Sequence, residues 1–406
     1  MKAVVFHGIG DIRLEEVPDP RIEQPTDAIV RLTASAICGT DLHMVRGTLV
    51  GMRPGTILGH EGVGVVEELG ADVRNLRVGD RVVIPSSIAC GNCAYCRSGY
   101  FSQCDVANPN GKRAGTAFFG GPAESGPFHG LQAEKARIPF ANIGLVKLPD
   151  SVSDAQALLL SDIFPTAYQA ADMAEIKPGN TVAVFGCGPV GLLAIESAKI
   201  LDAGRVFAVD CIPSRLEMAR RLGAEVINYE QEDPVETILR LTDQIGVDRA
   251  IDAVGVDANH AHEGPAAQEA KELEPQFKAE LKEVAPHTHT VGDNWHPGDA
   301  PSQALIWAVR ALDKAGTLSI IGVYPKSVHL FPIGEAMNKN LTLKMGNCNH
   351  RKYIPMLVEL VEANVVDPAA IITQQKSLES VIDAFKAFDR REEGWTKVEL
   401  KPAATT

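Results

Sequence analysis

Beyond the Asp150 to Ala171 region, the sequence alternates short apolar strand patterns with helical patterns. The strand patterns are TVAVFG, RVFAVD, AEVINY, VDRAIDAVG and TLSIIGVY, and LTLKMG supplies a sixth. The helical patterns between them are PVGLLAIESAKIL, SRLEMARRLG, VETILRLTDQI and SQALIWAVRALDKAG. Strands that alternate with helices pair in parallel, because each helix carries the chain back across the sheet. This part of the chain is therefore predicted to form an α/β unit on a doubly wound parallel sheet.

The chain before about Pro149 has a different pattern, with short alternating runs such as AIVRLTA, EGVGVVEEL and DRVVIP. Apolar and polar residues that alternate with period two, between breaks at Gly and Pro, predict short antiparallel strands. After about Asn347 the sequence predicts a helix, LESVIDAFKAF, and a last strand, TKVELK, and we expect the final PAATT to be frayed. A chain of 406 residues is also too long for one compact core. We therefore expect two domains.

The charge balance limits the partners of the chain. Its formal net charge is −13, from 39 basic and 52 acidic residues, which argues against binding to nucleic acid or an anionic membrane. The N-terminal MKAVVF predicts a strand rather than an export signal. The longest uncharged apolar stretch, Val182 to Ile195, contains glycines and is shorter than the about 18 residues of a membrane helix. We expect a cytoplasmic protein that acts on a small molecule.

A glycine motif opens the first helix of the alternating part. Gly186, Gly188 and Gly191 form G-x-G-x-x-G directly after the strand TVAVF, with Pro189 and Val190 at the start of the helix. The first glycine permits a tight turn, the second lets the backbone approach a pyrophosphate, and the third lets helix and strand pack closely. The helix N-terminus presents unpaired N–H groups to the phosphates. The motif predicts a dinucleotide site, and a purely structural glycine turn is the alternative.

An acidic residue defines the type of dinucleotide. Asp210 ends the next strand, nineteen residues after Gly191. A carboxylate at this position accepts hydrogen bonds from the ribose hydroxyls and repels a 2′-phosphate, which favours NAD over NADP. Arg215 follows closely, and it is a candidate for stacking on the adenine or for approaching a phosphate.

Four of the eight cysteines lie in one fifteen-residue window with the spacing C-x2-C-x2-C-x7-C: Cys90, Cys93, Cys96 and Cys104. Four thiolates close a tetrahedral zinc site with Zn–S bonds of about 2.3 Å. Such a site has no open position, so its predicted role is structural. An iron–sulfur cluster is the alternative metal group. Disulfides are disfavoured, because the cysteines are too close in sequence to pair easily.

Two further residues upstream are ligand types that suit zinc. They are Cys38, in ICGTDLH, and His60, in ILGHEGVGVV. Either residue alone has a structural explanation, because a single Cys is commonly a small buried hydrophobe and a single His commonly makes hydrogen bonds in the core. On residue types alone, a metal site and a structural role stay equally open.

The order of the motifs along the chain decides between a metal site and a structural role for Cys38 and His60. GTDLH after a cysteine, GHEGVGVV, the four-cysteine loop and GCGPVG follow one another as in the zinc-containing medium-chain alcohol dehydrogenases, which the chain resembles over nearly its whole length. The resemblance implies a GroES-like, β-rich catalytic domain at residues 1–163, completed by residues 347–406. It also implies a Rossmann NAD-binding domain at residues 164–346, with an insertion at about 257–300. Two zinc ions per chain, NAD and a homo-oligomer, either dimer or tetramer, are expected with it.

The resemblance implies that Cys38 and His60 bind the catalytic zinc. The family's third ligand lies near the domain junction, where LLLSDIFPTAYQA places Asp162. An aspartate at this position resembles the pattern of the glutathione-independent formaldehyde dehydrogenase branch. In that branch an insertion covers the bound NAD. A carboxylate oxygen is an accepted zinc ligand. Glu61 is the alternative ligand, as in polyol-type relatives, or else a residue behind the metal.

The implied reaction moves a proton and a hydride away from an alcohol that the zinc polarises. Thr40 and His43 stand at the positions of the family's proton relay, and a strand-end hydroxyl and a helix-surface histidine are the alternative interpretations. In the family, Val190 packs behind the nicotinamide, and the backbone of residues 321–323 meets its carboxamide. The further residues expected to contact the cofactor are Gly39, Val254, Ile321 and Val323.

The preferred substrate is less well defined. Ser86 stands four positions before the first structural cysteine, where formaldehyde-handling relatives carry an aromatic residue, and a smaller side chain predicts a wider pocket. A formaldehyde dehydrogenase-like alcohol or aldehyde dehydrogenase is the leading hypothesis. A polyol, sugar or threonine dehydrogenase is the second, and a non-catalytic NAD-binding sensor is the third. The sensor hypothesis predicts lost metal ligands, whereas Cys38 and His60 are present.

The segment from Val256 to Pro301 interrupts the strand–helix alternation. It is rich in Ala, Glu, Lys and His, and its middle, QEAKELEPQFKAELKEV, predicts a polar surface helix. Five of the eleven histidines lie in it: His260, His262, His287, His289 and His296. A further metal site and contact with the adenine end of NAD are two interpretations. No tight ligand spacing repeats, which favours a solvated loop.

Overall fold

The computed structural model describes residues 1–402, and the last four residues of the stretch that we expect to be frayed, 403–406, lie outside the described residues. Within residues 1–402 the strands are β1 Lys2–Gly8, β2 Asp11–Glu16, β3 Ala28–Ile37, β4 Thr56–Ile57, β5 Gly62–Leu69, β6 Arg81–Ile84, β7 Lys135–Ile138, β8 Val146–Lys147, β9 Thr181–Phe185, β10 Arg205–Asp210, β11 Glu225–Asn228, β12 Val247–Asp252, β13 Leu312–Ile320, β14 Thr342–Met345, β15 Gln374–Ser377 and β16 Val398–Lys401.

The helices of the same residues are α1 Gly39–Arg46, α2 Ala94–Arg97, α3 Ala141–Gly144, α4 Asp154–Ser161, α5 Ile163–Met173, α6 Pro189–Ile200, α7 Pro213–Arg221, α8 Pro234–Leu241, α9 Ala266–Val284, α10 Gln303–Ala311, α11 Ile333–Asn338, α12 His350–Glu362 and α13 Val381–Asp389. In the part of the chain that the structure describes, no helix is both long enough and apolar enough to cross a membrane.

The chain divides into two compact units. Unit 1 comprises Met1–Pro165, His289–Trp295 and Asn347–Thr406. Unit 2 comprises Thr166–Thr288 and His296–Gly346. The seven residues His289–Trp295 lie inside the predicted insertion, and they group with unit 1 although the sequence around them belongs to unit 2.

Unit 1 is β-rich. Its larger sheet has the strand order β15-β16-β3-β5-β6-β8, with β7 also paired to β3, and a smaller sheet has the order β2-β1-β4. Only β15 and β16 pair in parallel, so the antiparallel strands predicted from AIVRLTA, EGVGVVEEL and DRVVIP are confirmed as β3, β5 and β6. Val30 and Ile84 lie in one apolar cluster, and Ile37 and Leu400 in another. Strand β3 takes part in both, because apolar residues cover it along its length.

Unit 2 is built on a parallel sheet with the order β11-β10-β9-β12-β13-β14, which confirms the predicted doubly wound sheet and its sixth strand. Buried residues such as Ala183, Phe207 and Leu318 form its core. One helix is shorter than predicted: α10 ends at Ala311, because Leu312 already pairs with Val247 in the sheet.

The insertion contains the predicted polar helix, α9. The two ends of the insertion lie side by side. The backbone N–H of Gly298 donates to Asp257 Oδ1 over 3.2 Å, and that of Ala300 donates to the carbonyl of Ala258 over 3.0 Å. The insertion therefore leaves unit 2 and returns to it at one place.

Candidate active site

Four polar residues predicted to lie at the catalytic metal come together inside unit 1. One ligand atom from each of Cys38, His60, Glu61 and Asp162 lies within 4.8 Å of the others. Cys38 follows β3 and precedes α1, His60 and Glu61 precede β5, and Asp162 follows α4. Three separate stretches of chain thus supply the cluster.

The distances in the cluster converge on one oxygen of Asp162. Its Oδ2 lies 3.4 Å from His60 Nε2 and 3.8 Å from Cys38 Sγ. All three side chains are buried, and burying charged or polar groups is costly unless they share a counter-ion or hydrogen bonds. A thiol, an imidazole nitrogen and a carboxylate oxygen that face one point form a donor set that zinc accepts. The residues present therefore fit a zinc ion with three protein ligands.

A second carboxylate, missed in the sequence, orients His60 from behind. Asp41 Oδ1 lies 3.3 Å from His60 Nδ1, and Asp41 Oδ2 accepts hydrogen bonds from the backbone N–H of Cys38 over 2.9 Å and from Gln132 Nε2 over 3.0 Å. Burial alone would lower the pKa of His60, but the charges of Asp41 and Cys38 raise it well above its ordinary value. A carboxylate behind a metal-binding histidine fixes the ring and its tautomer. Asp41 lies in the GTDLH motif, three residues after Cys38.

The other oxygen of Asp162 contacts a histidine that sequence reasoning also missed. His350 Nε2 lies 2.6 Å from Asp162 Oδ1, and Ser87 Oγ lies 3.0 Å from His350 Nδ1. Burial alone would raise the pKa of Asp162, but His350 and His60 hold it well below its usual range. Since Asp162 and His350 are 188 positions apart, no local pattern links them.

Glu61 forms a buried ion pair. Lys397 Nζ lies 2.6 Å from Glu61 Oε1, and both side chains are fully buried. Lys397 also donates to the carbonyl of Ile37 over 3.1 Å. Burial raises the pKa of Glu61, and Lys397 acts in the opposite direction. Glu61 Oε2 is buried without a hydrogen-bond partner among the described residues, whereas Lys397 contacts Oε1.

The predicted relay residues lie on α1. Thr40 is half-buried, and His43 is buried rather than on the helix surface. The hydroxyl of Thr48 donates to the carbonyl of His43 over 3.3 Å and lies 3.0 Å from His43 Nδ1. A hydroxyl that donates to the carbonyl accepts from Nδ1–H, which assigns the proton of the neutral ring to Nδ1. Gly39 is exposed at the start of the same helix.

An aromatic side chain lies beside the proposed zinc ligands, but it does not come from position 86, where formaldehyde-handling relatives carry an aromatic residue. Ser86 is buried, and its backbone N–H donates to the carbonyl of Ser161 over 3.1 Å. The ring of Phe118 lies 6.3 Å from that of His60, edge to face at 84°. Phe118 reaches this place through a bridge to Ser87, and nothing in its local sequence indicates that contact.

The four-cysteine loop gathers its sulfurs as predicted, and one ligand atom from each lies within 4.8 Å of the others. Backbone N–H groups point at these sulfurs, for example from Cys93 to Cys90 Sγ over 3.4 Å and from Cys90 to Cys104 Sγ over 3.3 Å. Burial alone would raise the pKa of Cys93, but N–H donors, of which the largest is Cys96, lower it to about 7. All eight cysteines of the chain are free, so none is in a disulfide. The loop therefore offers a closed set of four sulfur ligands.

The glycine motif of unit 2 has the geometry that its spacing predicts. Gly186 has φ +89°, which glycine adopts readily, and a Cβ on Gly191 would lie 1.8 Å from the Gly186 carbonyl oxygen. A Cβ on Gly188 would meet only Arg215 Nη1, at 3.9 Å. The loop is thus open where a pyrophosphate would lie and close-packed elsewhere. Pro189 and Val190 begin α6, with Gly188 just before it.

Asp210 lies against this loop at the end of β10. Its Oδ2 accepts from the backbone N–H of Cys187 over 2.7 Å, and its Oδ1 accepts from Cys211 over 2.8 Å and Ile212 over 3.0 Å. The carboxylate is therefore fixed in direction before a cofactor binds.

The remaining predicted cofactor residues lie at the carboxyl ends of β12 and β13. The backbone N–H groups of Ile321 and Gly322 donate to the carbonyl of Asp252, each over 3.0 Å. Val256 donates to the carbonyl of Val323 over 2.9 Å, and Val254 donates to Asp252 Oδ1 over 2.9 Å. Ligands of open α/β sheets bind at this edge. Asp252, which also accepts from the Tyr324 hydroxyl over 2.6 Å, was not predicted.

Comparison with known proteins agrees with this geometry. Residues 24–150 match the family model described as "Alcohol dehydrogenase GroES-like domain", and residues 189–262 match "Zinc-binding dehydrogenase". An uncharacterized zinc-type alcohol dehydrogenase-like protein, AdhB of Bacillus subtilis, is 36% identical over 99% of this chain and 100% of its own length. The chain belongs to the zinc-type alcohol dehydrogenases.

Two further relatives are similar to the chain. The glutathione-independent formaldehyde dehydrogenase of Pseudomonas aeruginosa is 39% identical over 51% of this dehydrogenase and 52% of its own length. The alcohol dehydrogenase TADH from Thermus sp. ATN1 superposes with a TM-score of 0.79 and 34% identity, over 99% of this chain and 100% of that one. The predicted GroES-like domain, the Rossmann sheet and the dehydrogenase class are thereby confirmed. The family is zinc-dependent and uses a nicotinamide dinucleotide.

Proposed function

We propose that this dehydrogenase moves a hydride between an alcohol or hydrated aldehyde and NAD, in the manner of the formaldehyde dehydrogenase branch. The observation that carries the proposal is Asp162, whose Oδ2 lies against Cys38 and His60. The likeness of half the chain to a formaldehyde dehydrogenase supports the same branch. A small-molecule substrate is consistent with the family.

The proposed catalytic zinc ligands are Cys38 Sγ, His60 Nε2 and Asp162 Oδ2, and the four-cysteine loop would hold the second zinc ion. When bound, the catalytic ion supplies Lewis acidity that lowers the pKa of a substrate hydroxyl. The protein's contribution is orientation: Asp41 lies 3.3 Å from His60 on one side, and His350 lies 2.6 Å from Asp162 on the other. Ligands fixed in this way keep an open position for substrate.

The proton released from the substrate is proposed to pass to Thr40 and then to His43. Thr48 holds His43 with its proton on Nδ1, so Nε2 carries the lone pair that can accept a proton. Because His43 is buried, its orientation is set by the protein rather than by solvent. The nicotinamide ring supplies the hydride chemistry.

NAD rather than NADP is the proposed cofactor. Asp210 is 7% exposed and has both oxygens in hydrogen bonds, so its charge cannot turn away from a nearby ribose. A 2′-phosphate would lie close to this carboxylate and be repelled. Arg215, beside Gly188, is positioned to face the pyrophosphate.

The test is an NAD⁺ reduction screen over formaldehyde, short alcohols, aromatic alcohols and polyols, together with zinc counts. Wild type is compared with Cys38→Ser, Asp162→Asn and Glu61→Gln, and Asp150→Asn, an exposed carboxylate, is the control. We expect Cys38→Ser and Asp162→Asn to lose one zinc ion and most of their activity, while Asp150→Asn keeps both. Undiminished activity in Cys38→Ser would refute the proposed ligand set.

A second candidate is a polyol-type dehydrogenase in which Glu61 binds the metal. Glu61 belongs to the cluster, and its Oε2 has no hydrogen-bond partner among residues 1–402, which favours this candidate. In that case Glu61→Gln loses the zinc ion while Asp162→Asn retains it, and polyols are the best substrates. One zinc ion per chain without turnover of any substrate in the screen would instead favour the sensor hypothesis.

The homo-oligomer and the cytoplasmic location remain predictions. Light scattering of the protein as it elutes from a size-exclusion column measures the oligomeric state, since a dimer and a tetramer of a 43.5 kDa chain differ twofold in mass.

A further inference from the structure

A third group of potential metal ligands lies in unit 2, apart from the sites described above. It consists of His260, His262 and Asp299, and one ligand atom from each lies within 4.8 Å of the other two. The two histidines stand where the insertion begins, and Asp299, 39 positions after His260, stands where it ends. The fold therefore assembles the group at the base of the insertion, which no local spacing indicates.

Both oxygens of Asp299 face a histidine. Oδ1 lies 2.9 Å from His260 Nδ1 and accepts from the backbone N–H of His260 over 3.0 Å. Oδ2 lies 3.6 Å from His262 Nε2, which is too long for a hydrogen bond. The two imidazole rings are 4.5 Å apart between centroids, tilted by 38°. One nitrogen of each ring therefore faces an oxygen of Asp299.

A fourth residue fixes one of these rings from outside. Glu230, in the loop after β11, lies with Oε1 3.0 Å from His262 Nδ1, and its Oε2 accepts from the backbone N–H groups of His262 and Glu263, each over 2.8 Å. The hydrogen bond with Glu230 raises the pKa of His262, and once Nε2 has lost its proton the ring presents a lone pair toward Asp299 while Nδ1 donates to Glu230. A lone pair and a carboxylate that face each other need a cation or a proton between them. Asp41 and His60 show the same carboxylate–histidine arrangement at the catalytic cluster.

We propose that His260, His262 and Asp299 bind a divalent transition-metal ion, with zinc as the ion, in addition to the two zinc sites of the family. Imidazole and carboxylate ligands suit zinc, which takes His and Asp in tetrahedral sites. The side chains are 26%, 58% and 40% exposed, so water can complete the coordination and the ion can enter from solvent. The bound ion would join the two ends of the insertion and, through Glu230, fix them to the loop after β11.

The test is equilibrium dialysis of the zinc-loaded holoenzyme against micromolar free Zn²⁺, followed by elemental analysis. We expect wild type to hold one more zinc ion per chain than His260→Gln/His262→Gln. The control, His287→Gln/His296→Gln, removes two other histidines of the same insertion and keeps the ion. Glu230→Gln should retain the site with a Kd weakened about 10- to 100-fold, because Glu230 acts only through His262.

A second measurement detects the ion by its effect on the backbone. Zinc should slow hydrogen exchange at residues 257–263 and 298–300 in wild type and in the control, but not in His260→Gln/His262→Gln. Equal zinc counts in wild type and that double variant would overturn the proposal and leave an ion-paired cluster only. This outcome is independent of alcohol oxidation, because the same double variant keeps the catalytic cluster of unit 1 unchanged.

Discussion

The two carboxylate oxygens of Asp162 have different contacts. Oδ2 faces the proposed zinc ligand His60, and Oδ1 contacts His350. A carboxylate held on one side only can rotate and present either oxygen to a metal. The contact with His350, which Ser87 fixes in turn, selects one orientation. His350 is therefore a positioning residue in the proposed site.

Replacing His350 with Leu should weaken zinc retention about 10- to 100-fold, because Asp162 loses the group that orients it. Competition with a chelator measures this, and kcat should fall with the zinc content. His350→Gln restores a donor and should rescue part of the loss, whereas Ser87→Ala should have a smaller effect. Unchanged zinc retention in His350→Leu would show that Asp162 needs no such support.

Phe118 is expected to limit the size of the substrate, since its ring stands 6.3 Å from that of His60. Phe118→Ala should raise kcat/KM for benzyl alcohol relative to ethanol by roughly tenfold or more, the scale on which a hydrophobic pocket discriminates. Phe118→Leu keeps most of the bulk and should change the ratio less. If the ratio is the same in wild type and Phe118→Ala, the ring does not line the pocket.

Residues inside the compact motifs could be predicted from the sequence, and their distant partners could not. Cys38 and His60 each stand in a short recognisable motif, and Asp162 stands in a recognisable junction. Lys397 lies 336 positions after Glu61, and an ordinary stretch of strand gives no sign of this partner. Contacts between distant residues depend on the fold, whereas motif spacing depends only on local geometry.

At the scale of elements, the short segment His289–Trp295 belongs to unit 1 and packs into its core. Trp295 is 2% exposed in an apolar cluster with Phe6 and Leu42. Asp389 accepts from the backbone N–H of Trp295 over 2.7 Å and from Asn294 Nδ2 over 3.0 Å, and it pairs with Arg46 Nε at 2.8 Å. A buried charge pair and an aromatic ring together hold this short segment.

Trp295→Ala should lower the free energy of unfolding by about 3–5 kcal/mol, because it leaves a cavity among buried apolar side chains. Urea unfolding followed by circular dichroism measures the loss. Val291→Ala is the control, since Val291 lies in the same segment and is 47% exposed. Equal stability of the two variants would mean that the segment does not contribute to unit 1.

The sequence predicted elements where a pattern ran unbroken. The polar helix α9 followed from the composition of its segment, and the six parallel strands followed from the alternation of strand and helix patterns. The helix α10 was predicted too long, because ALDKAG continues a helical pattern that pairing with β12 overrides. The contact between the two ends of the insertion could not be predicted. Asp257 at one end accepts from Gly298 at the other, and Asp299 accepts from His260 in the same way.

At the scale of the whole molecule, unit 1 is made from separated segments that one buried ion pair helps to join. Lys397, just before β16, contacts Glu61 and the carbonyl of Ile37. Removing one partner of a buried pair leaves an uncompensated charge, which is strongly destabilising.

Lys397→Met should therefore cost about 3–5 kcal/mol of unfolding free energy. The matched control is Lys401→Met, the same change on an exposed side chain at the end of β16. Adding Glu61→Gln to Lys397→Met should recover part of the loss, because it removes the uncompensated charge. Thermal and urea unfolding measure all three variants, and equal losses in the two single variants would contradict the role given to the pair.

The antiparallel strands of unit 1 and the parallel sheet of unit 2 were predictable because each pattern is local, but the discontinuous assembly of unit 1 was expected only through the family resemblance. The strand pattern TKVELK predicts a strand and does not say which strand it joins. Its partner, β3, is fixed by the apolar cluster that Val398 and Leu400 share with Ile37.

The position of β16 has a consequence for the order of events on the ribosome. Every strand of the unit 2 sheet lies between residues 181 and 345, so that sheet can be complete while unit 1 still lacks β15 and β16. Domains made from contiguous sequence fold as they emerge during synthesis. Until the segment that holds Lys397 and β16 leaves the exit tunnel, β3 lacks its partner β16 and Glu61 lacks its lysine. Unit 1 is therefore completed only after the sheet of unit 2 has emerged.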